Sequence, residues 1–207
     1  MRVKLLIAAG AGLAGFTAML CLFLTGNAHW IDDPVRELLY GLRSSGLTAV
    51  MKVITYMGNW QTVTALCIVL LLIGKTRITY GIPLAAGAAF VTLLNRGVKL
   101  LVERPRPEDI THLIEEGGFS FASGHAAASM FLFSILIYLI RKNFRNRKAA
   151  DILTALLAVP MIAIGISRVY LGVHYPTDVI AGWGLGIAVA AAAAGFSMRL
   201  DKKKTGA

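Results

Sequence analysis

The segment FASGHAAASMFLFSILIYLIRKNFRNRK, residues 121–148, decides the fold of this chain. An apolar run lies between the polar triplet Ser123-Gly124-His125 and a basic cluster that begins at Arg141. Uninterrupted apolar runs near the ~20 residues that span a bilayer are typical of transmembrane helices. The segment therefore predicts a membrane-spanning helix with polar groups at one end and cations at the other.

The same pattern recurs along the chain, so we predict an all-α membrane bundle that forms one domain over residues 1–207. Hydrophobic residues make up 57% of the sequence and charged residues 15%, whereas soluble domains average about 25% charged residues. Six spans are predicted, at residues 3–24, 47–74 with a bend near Gly58-Asn59, 78–102, 123–140, 150–172 and 177–196.

Two segments near the N-terminus leave alternatives open. The apolar run 3–24 exceeds the ~7–15 residues of a signal-peptide core, which favours a retained helix over a cleaved signal peptide. The polar segment 29–46 is either an interfacial helix or a disordered loop, because Trp30 and Leu38 alternate with charges. The thiols Cys21 and Cys67 lie in apolar runs and read as ordinary buried cysteines.

The charge distribution predicts the orientation. The net charge of +10 does not indicate a nucleic-acid partner, because most cations cluster in short segments between spans. One face carries Arg2, Lys4, Lys75, Arg77, Arg141, Lys142, Arg145, Arg147, Lys148, Arg199, Lys202, Lys203 and Lys204. The positive-inside rule places that face, with both termini, in the cytoplasm. The opposite face, which holds most of the acidic residues, is then extracytoplasmic.

Three polar clusters fall on this opposite face, and together they predict an anion site. They are KLLVERPRP at residues 99–107, ASGHA at 122–126 and SRVYLGVHYPTD at 167–178. The first and third supply Lys99, Arg106 and Arg168, and guanidinium and ammonium groups bind phosphate oxygens. The second places Ser123 and Gly124 where a helix begins, and free N–H groups there favour an anion.

Two histidines add a reaction to the anion site. His174 precedes Asp178 by four residues, so the carboxylate can reach one ring nitrogen, fix the tautomer and leave the other nitrogen as a nucleophile. His125, beside the anion site, can protonate the leaving oxygen and later activate water. The pattern predicts phosphoryl transfer through a phosphohistidine.

The three clusters resemble the motifs of the type 2 phosphatidic acid phosphatase family: Lys99-x6-Arg106-Pro107, Ser123-Gly124-His125 and Ser167-Arg168-x5-His174-x3-Asp178. The resemblance covers residues 99–178 and implies a membrane lipid phosphatase that needs no metal and no cofactor. It implies that His174 attacks phosphorus, Asp178 orients it and His125 is the general acid. It also implies that the phosphate is held by Lys99, Arg106, Ser123, Gly124 and Arg168.

Several positions depart from this pattern or lie beside it. The family usually has proline where this chain has Ala122, which we expect to loosen the turn while keeping every phosphate ligand. Arg104 is off the matched spacing and is expected to be solvated. Glu115 and Glu116 can shape a lid, although a solvated loop is the expectation.

The expected substrate is a lipid phosphate in the bacterial cytoplasmic membrane, with the site facing outside. Phosphatidylglycerol phosphate, phosphatidic acid and undecaprenyl pyrophosphate all fit, and a phosphatidylglycerophosphate-type or broad-specificity enzyme is favoured because the chain has little beyond the core. The alternative is an anion or lipid-phosphate transporter or binding protein without hydrolysis, which internal repeats or broken helices would favour. The sequence does not set the oligomeric state.

Overall fold

The computed structural model describes residues 2–74 and 77–205, and the described chain is helical throughout its regular structure. A π-helical turn, Arg77–Gly81, precedes the fifth helix. Lys75, one of the cations used to predict orientation, lies outside the described residues. The helices are α1 (Arg2–Leu24), α2 (His29–Gly41), α3 (Ser45–Met57), α4 (Trp60–Leu72), α5 (Ile82–Val102), α6 (Gly124–Asn143), α7 (Arg147–Tyr170) and α8 (Pro176–Thr205).

The six predicted spans are confirmed. Among the described residues, α1, α5, α6, α7 and α8 are each long and apolar enough to cross a bilayer. The helices α3 and α4 together make the sixth span, with a bend of 45° between them. The bend falls at Gly58-Asn59, where the sequence predicted it.

Helices α6 and α8 form the centre of the bundle. More than half of the residues in their spanning segments are buried, 56% and 61%, against 6% in α1. Small residues permit this packing: a Cβ added at Gly186 would lie 2.5 Å from the carbonyl oxygen of Ala127. On the other side of α8, a Cβ at Gly12 would lie 2.5 Å from the carbonyl oxygen of Gly184. The backbones of α1, α6 and α8 therefore meet directly, as small residues allow in membrane helices.

The segment 29–46 begins with a helix, so the disordered-loop alternative is wrong. Helix α2 is amphipathic: Trp30 and Leu38 are exposed, whereas Asp32 and Arg36 are buried. An apolar face turned outward and a charged face turned onto the protein are typical of a helix that lies along a membrane surface.

The three polar clusters meet at one end of the bundle, beneath α2. The N–H of Leu113, in the loop between α5 and α6, donates to the carbonyl oxygen of Leu171 over 3.0 Å. The N–H of Ser123 donates to the carbonyl oxygen of Asp178 over 3.0 Å. Backbone hydrogen bonds therefore tie the start of α6 to the start of α8, and the loop of residues 103–123 to the loop of residues 171–175.

Candidate active site

His174 is held in one orientation by the carboxylate that the sequence assigned to it. The ring lies in the loop just before α8 and is 2% exposed, and its Nδ1 is 3.3 Å from Oδ2 of Asp178 in the first turn of α8. The same carboxylate oxygen accepts the backbone N–H of Tyr175 over 2.9 Å. Because Nδ1 faces an acceptor, it carries the proton, and the lone pair is left on Nε2.

The environment of His174 keeps the ring neutral. Burial lowers the pKa of His174 well below its ordinary value of 6.5, and the positive charges of Arg168, Arg106 and Lys99 lower it further. Nη1 of Arg106 lies 3.2 Å from Nε2, on the lone-pair side. A neutral imidazole with a lone pair aimed at a cationic pocket is the state that a nucleophile for phosphorus requires.

The charges of the three predicted cations all act on His174, and Arg106 is in contact with its Nε2. Arg106 donates to the carbonyl oxygens of Val173 over 2.7 Å and Gly118 over 3.0 Å. Lys99 donates to the carbonyl oxygens of Phe119 and Ser120, the latter over 3.1 Å. These backbone contacts hold both side chains at the pocket wall.

Arg168 is the most deeply buried of the three cations, at 1% exposed. Its Nη1 donates to the hydroxyl of Thr55 in α3 over 2.9 Å. Its Nε is buried without a hydrogen-bond partner within the described part of the chain. A buried guanidinium N–H without an acceptor is costly, so Arg168 is built to receive an anion.

Glu116 sits on these cations, contrary to the expectation of a solvated loop residue. Its carboxylate forms an ion pair with Nη2 of Arg168 and lies 3.7 Å from Nη2 of Arg106. Its side chain is 28% exposed. The carboxylate therefore takes hydrogen bonds that a phosphate in this pocket would also take.

His125 stands at the start of α6, next to the pocket. Its Nε2 lies 2.6 Å from Oδ1 of Asn59, at the bend between α3 and α4. Neighbouring Gly58 leaves room for the side chain of Ile164, because a Cβ there would lie 2.6 Å from it, whereas the 3.5 Å from that Cβ to Cδ2 of His125 would be an ordinary contact. The charges of Arg168, His174, Arg106 and Lys99 all act on His125, so the two imidazoles share one electrostatic site.

The start of α6 is fixed by hydrogen bonds to α5 and α8. The side-chain amide of Asn95 donates to the carbonyl oxygen of Ala122 over 3.0 Å. Ser123 is fully buried, and its hydroxyl accepts the N–H of Ala126 over 3.4 Å. Since the N–H of Ser123 is bonded to Asp178, the N–H groups free for an anion in the first turn are those of Gly124 and His125.

Arg104 is not solvated, so that expectation is wrong. Its side chain is 6% exposed, Nη1 lies 2.8 Å from Oδ1 of Asp178 and Nη2 lies 2.6 Å from Oδ2 of Asp32. Sequence reasoning missed it because a loop arginine beside a matched motif looks like a headgroup contact. The sequence offered one indication: ERPRP, residues 103–107, contains two Arg-Pro pairs, so either arginine could have been assigned to the site.

An apolar groove of about 790 Å³ leads to His125. It runs between α4 and α5, and its polar end is formed by Asn95, Gly124 and His125. Its apolar wall includes Val63, Cys67, Ile68, Leu71, Ala88 and Val91. The groove reaches the site from the His125 side, not from the His174 side.

The predicted residues therefore gather at one end of the bundle, with His174, Asp178, Arg106, Arg168 and Lys99 in one cluster. The polar triplet of residues 123–125 adjoins it. Within residues 2–74 and 77–205, no three His, Cys, Asp or Glu side chains are grouped to hold a metal ion. The role of each residue stays a prediction.

Comparisons with known proteins identify the family of this chain. The sequence pattern of the PAP2 superfamily matches residues 78–202. Phosphatidylglycerophosphatase B of Bacillus subtilis (strain 168) is 30% identical over 187 residues, which are 86% of this chain and 89% of that protein. Undecaprenyl-diphosphatase of Sulfolobus acidocaldarius is 33% identical over 132 residues, which are 61% of this chain and 58% of that protein.

A solved structure extends the likeness to the fold. The crystal structure of the transmembrane PAP2 type phosphatidylglycerolphosphate phosphatase from Bacillus subtilis superposes with a TM-score of 0.80 at 27% identity. The match covers 91% of this chain and 96% of that one. On the family pattern, the relatives and the shared architecture, this chain belongs to the PAP2 superfamily of membrane phosphatases.

Proposed function

We propose that this protein hydrolyses the phosphate of a membrane lipid through a phosphohistidine formed on His174. One observation carries the proposal: Nδ1 of His174 is held by Asp178, while Nε2 faces Arg106 within a pocket of cations. That arrangement leaves the lone pair on Nε2, where it can attack phosphorus once Arg106 turns from Nε2 to the phosphate, and it places positive charge where phosphoryl oxygens accumulate negative charge.

The first half of the reaction transfers the phosphoryl group to the protein. Nε2 attacks phosphorus in line with the leaving oxygen, the P–O bond to the lipid breaks, and the lipid alkoxide takes a proton from His125, which enters this step protonated and leaves it neutral. Lys99, Arg106 and Arg168 neutralise the equatorial oxygens, together with the N–H groups that open α6. Glu116 has to leave Arg168 as the phosphate arrives, because both anions need the same donors.

The second half returns the protein to its starting state. His125, now neutral, takes a proton from a water molecule as that water attacks phosphorus. The P–N bond breaks, His174 regains its lone pair and inorganic phosphate is released. The two imidazoles thus exchange no proton with each other, and each returns to its starting protonation state.

The groove supports a lipid as the leaving group. In an in-line reaction the leaving oxygen lies opposite the nucleophile, hence on the His125 side. The apolar groove ends at His125, so a chain attached to the leaving oxygen would extend into it. The relatives act on phosphatidylglycerophosphate and undecaprenyl diphosphate by their names. We propose phosphatidylglycerol phosphate, phosphatidic acid and undecaprenyl pyrophosphate as the substrates to test, and favour the first.

We further propose that the site faces away from the cytoplasm of a bacterial cell, with both termini inside and no metal required. The positive-inside pattern supports the orientation. A cysteine introduced near the exposed Glu115 should react with an impermeant thiol reagent in intact cells. Protection of that cysteine would reverse the orientation without changing the chemistry.

The test of the function is phosphate release from a panel of lipid phosphates by purified protein in the presence of EDTA. We expect turnover in EDTA and an acid-labile phosphoryl group on His174 when substrate carrying labelled phosphate is quenched rapidly. His174→Ala should remove both signals, while His29→Ala, at an exposed histidine, serves as the matched control. Lipid binding without phosphate release would favour the transporter or binding-protein alternative.

A further inference from the structure

The carboxylate that orients His174 has its two oxygens divided between different partners. Oδ2 of Asp178 faces Nδ1 of His174 at 3.3 Å and the N–H of Tyr175 at 2.9 Å. Oδ1 faces Nη1 of Arg104 at 2.8 Å. The contact with His174 is the longest of these three distances. Arg104 sets the rotation of the carboxylate by fixing the oxygen that His174 does not use.

Arg104 is itself held in place from several sides. Its guanidinium lies between two aromatic rings, 3.9 Å from the centroid of Tyr175 and 4.8 Å from that of Phe23. Nη1 also donates to the hydroxyl of Thr177 over 2.7 Å. Stacked and hydrogen-bonded guanidinium groups have little freedom left, which suits a group that has to hold another in place.

Asp32 completes the clamp from α2. One of its oxygens accepts Nη2 of Arg104 at 2.6 Å, and the other accepts the N–H of Thr177 at 2.9 Å. Asp32 is 2% exposed and Arg104 is 6% exposed. Asp32 therefore ties the interfacial helix to Arg104 and to the first turn of α8 at once.

We propose that Arg104, clamped by Asp32, positions Asp178 and through it aims the nucleophilic nitrogen of His174. This inference rests on the proposed function, because it deepens the role of the same site. Arg104 touches no phosphate-binding group in this arrangement, so it is a positioning residue and not a catalytic one.

The charges around Asp178 explain why a separate cation is needed. Lys99 and Arg106 also act on this carboxylate, although they line the phosphate pocket. Without Arg104, Asp178 would be left with the pocket cations as its nearest positive partners. Arg104 therefore keeps the orienting carboxylate on the far side of His174 and leaves the pocket charges to the substrate.

The test compares Arg104→Met with Arg36→Met. Arg36 is also buried and stacks on Tyr175 at 5.0 Å, but it pairs with Asp109 and Asp33 instead of Asp178. In Arg104→Met we expect kcat to fall about 10- to 100-fold, the range that follows from a misplaced reacting group. We expect the KM and the inhibition by inorganic phosphate to stay within about threefold. Arg36→Met should keep kcat within about twofold, and Arg104→Lys should lie between Arg104→Met and the unmodified protein.

A spectroscopic measurement checks the inference without turnover. The downfield proton resonance of Nδ1–H in His174 reports its hydrogen bond to Asp178. It should disappear in Arg104→Met and persist in Arg36→Met. An unmodified protein that releases no phosphate would overturn the proposed function, and this resonance would still decide the role of Arg104.

Three results would overturn the inference: an unchanged resonance in Arg104→Met, a kcat within twofold of the unmodified protein, or losses of phosphate inhibition that run parallel to losses of kcat. If Arg104→Met does not fold, as judged by size-exclusion chromatography, the variant Asp32→Asn replaces it. The same three measurements, the Nδ1–H resonance, kcat and inhibition by phosphate, then test the role of Arg104. That variant keeps one oxygen as an acceptor for Thr177 and removes the charge opposite Arg104. It should lower kcat with phosphate inhibition retained.

Discussion

The two histidines of the site are held in different ways. His174 is buried, with Asp178 at its Nδ1, Arg106 at its Nε2, and Arg104 paired with the other oxygen of Asp178. His125 has a side-chain hydrogen bond to Asn59 and stands at the polar end of an apolar groove. Under the proposed function, the half of the site that meets phosphorus is therefore the half with more side-chain contacts. Under the same proposal, the half that meets the leaving group lies beside the groove that would take the lipid chain.

The largest expected effect is the loss of kcat on replacing either histidine, and the two losses should depend differently on the substrate. His174→Ala should lower kcat by at least about 10⁴-fold with every substrate, because the nucleophile is lost. His125→Ala should cost about 10²- to 10⁴-fold with a lipid substrate, where the leaving oxygen needs a proton. With p-nitrophenyl phosphate, whose leaving group needs no proton, the His125→Ala loss should shrink. The measurement is kcat for both variants on both substrates.

An equal loss for His125→Ala on the two substrates would break the comparison. It would mean that His125 holds the phosphate instead of serving the leaving group. The hydrogen bond to Asn59 would then position a phosphate ligand and not a proton donor.

The next effect concerns the groove. Ala88→Phe should fill it and raise the KM of a long-chain lipid phosphate about tenfold, because the lost burial of two methylene groups is worth about 1.6 kcal/mol. A short-chain analogue should be affected little. Ala86→Phe, on an exposed face of the same helix, is the matched control. Equal KM changes for long and short chains would show that the groove does not take the lipid.

The smallest expected effect concerns Glu116 and the cations around His174. Glu116→Gln removes the charge that sits on Arg168, so inorganic phosphate should inhibit about fivefold more strongly, a change near 1 kcal/mol. Glu115→Gln, at the exposed neighbouring carboxylate, should leave the inhibition constant unchanged. Weaker inhibition in Glu116→Gln would instead make the carboxylate a support for the arginine.

The sequence predicted the spans well because hydropathy is a property of consecutive residues. The bend at Gly58-Asn59 and all six spans followed from it. The cluster around His174 followed from the motifs, since His174 and Asp178 are four residues apart and meet within one loop and one helical turn. Local spacing was sufficient wherever the partners are close in the chain.

Contacts between distant segments could not be predicted in this way. Arg104 meets Asp32 across 72 residues, and His125 meets Asn59 across 66. Both contacts depend on how α2 and the bend between α3 and α4 pack against the bundle. Hydropathy does not predict that packing. Glu116 was misjudged for a related reason, because an acidic loop residue is solvated unless a buried cation such as Arg168 attracts it.

The direct backbone contact between α6 and α8 has a consequence for how such proteins diversify. Larger residues at Gly182 or Gly186 would collide with the backbone of α6, so the helices that begin with Gly124 and Pro176 tolerate little change. The wall formed by α4 and α5 lies outside that contact. Under the proposed function, new lipid preferences are therefore open to selection or engineering along this wall without a change in the packing of α6 against α8.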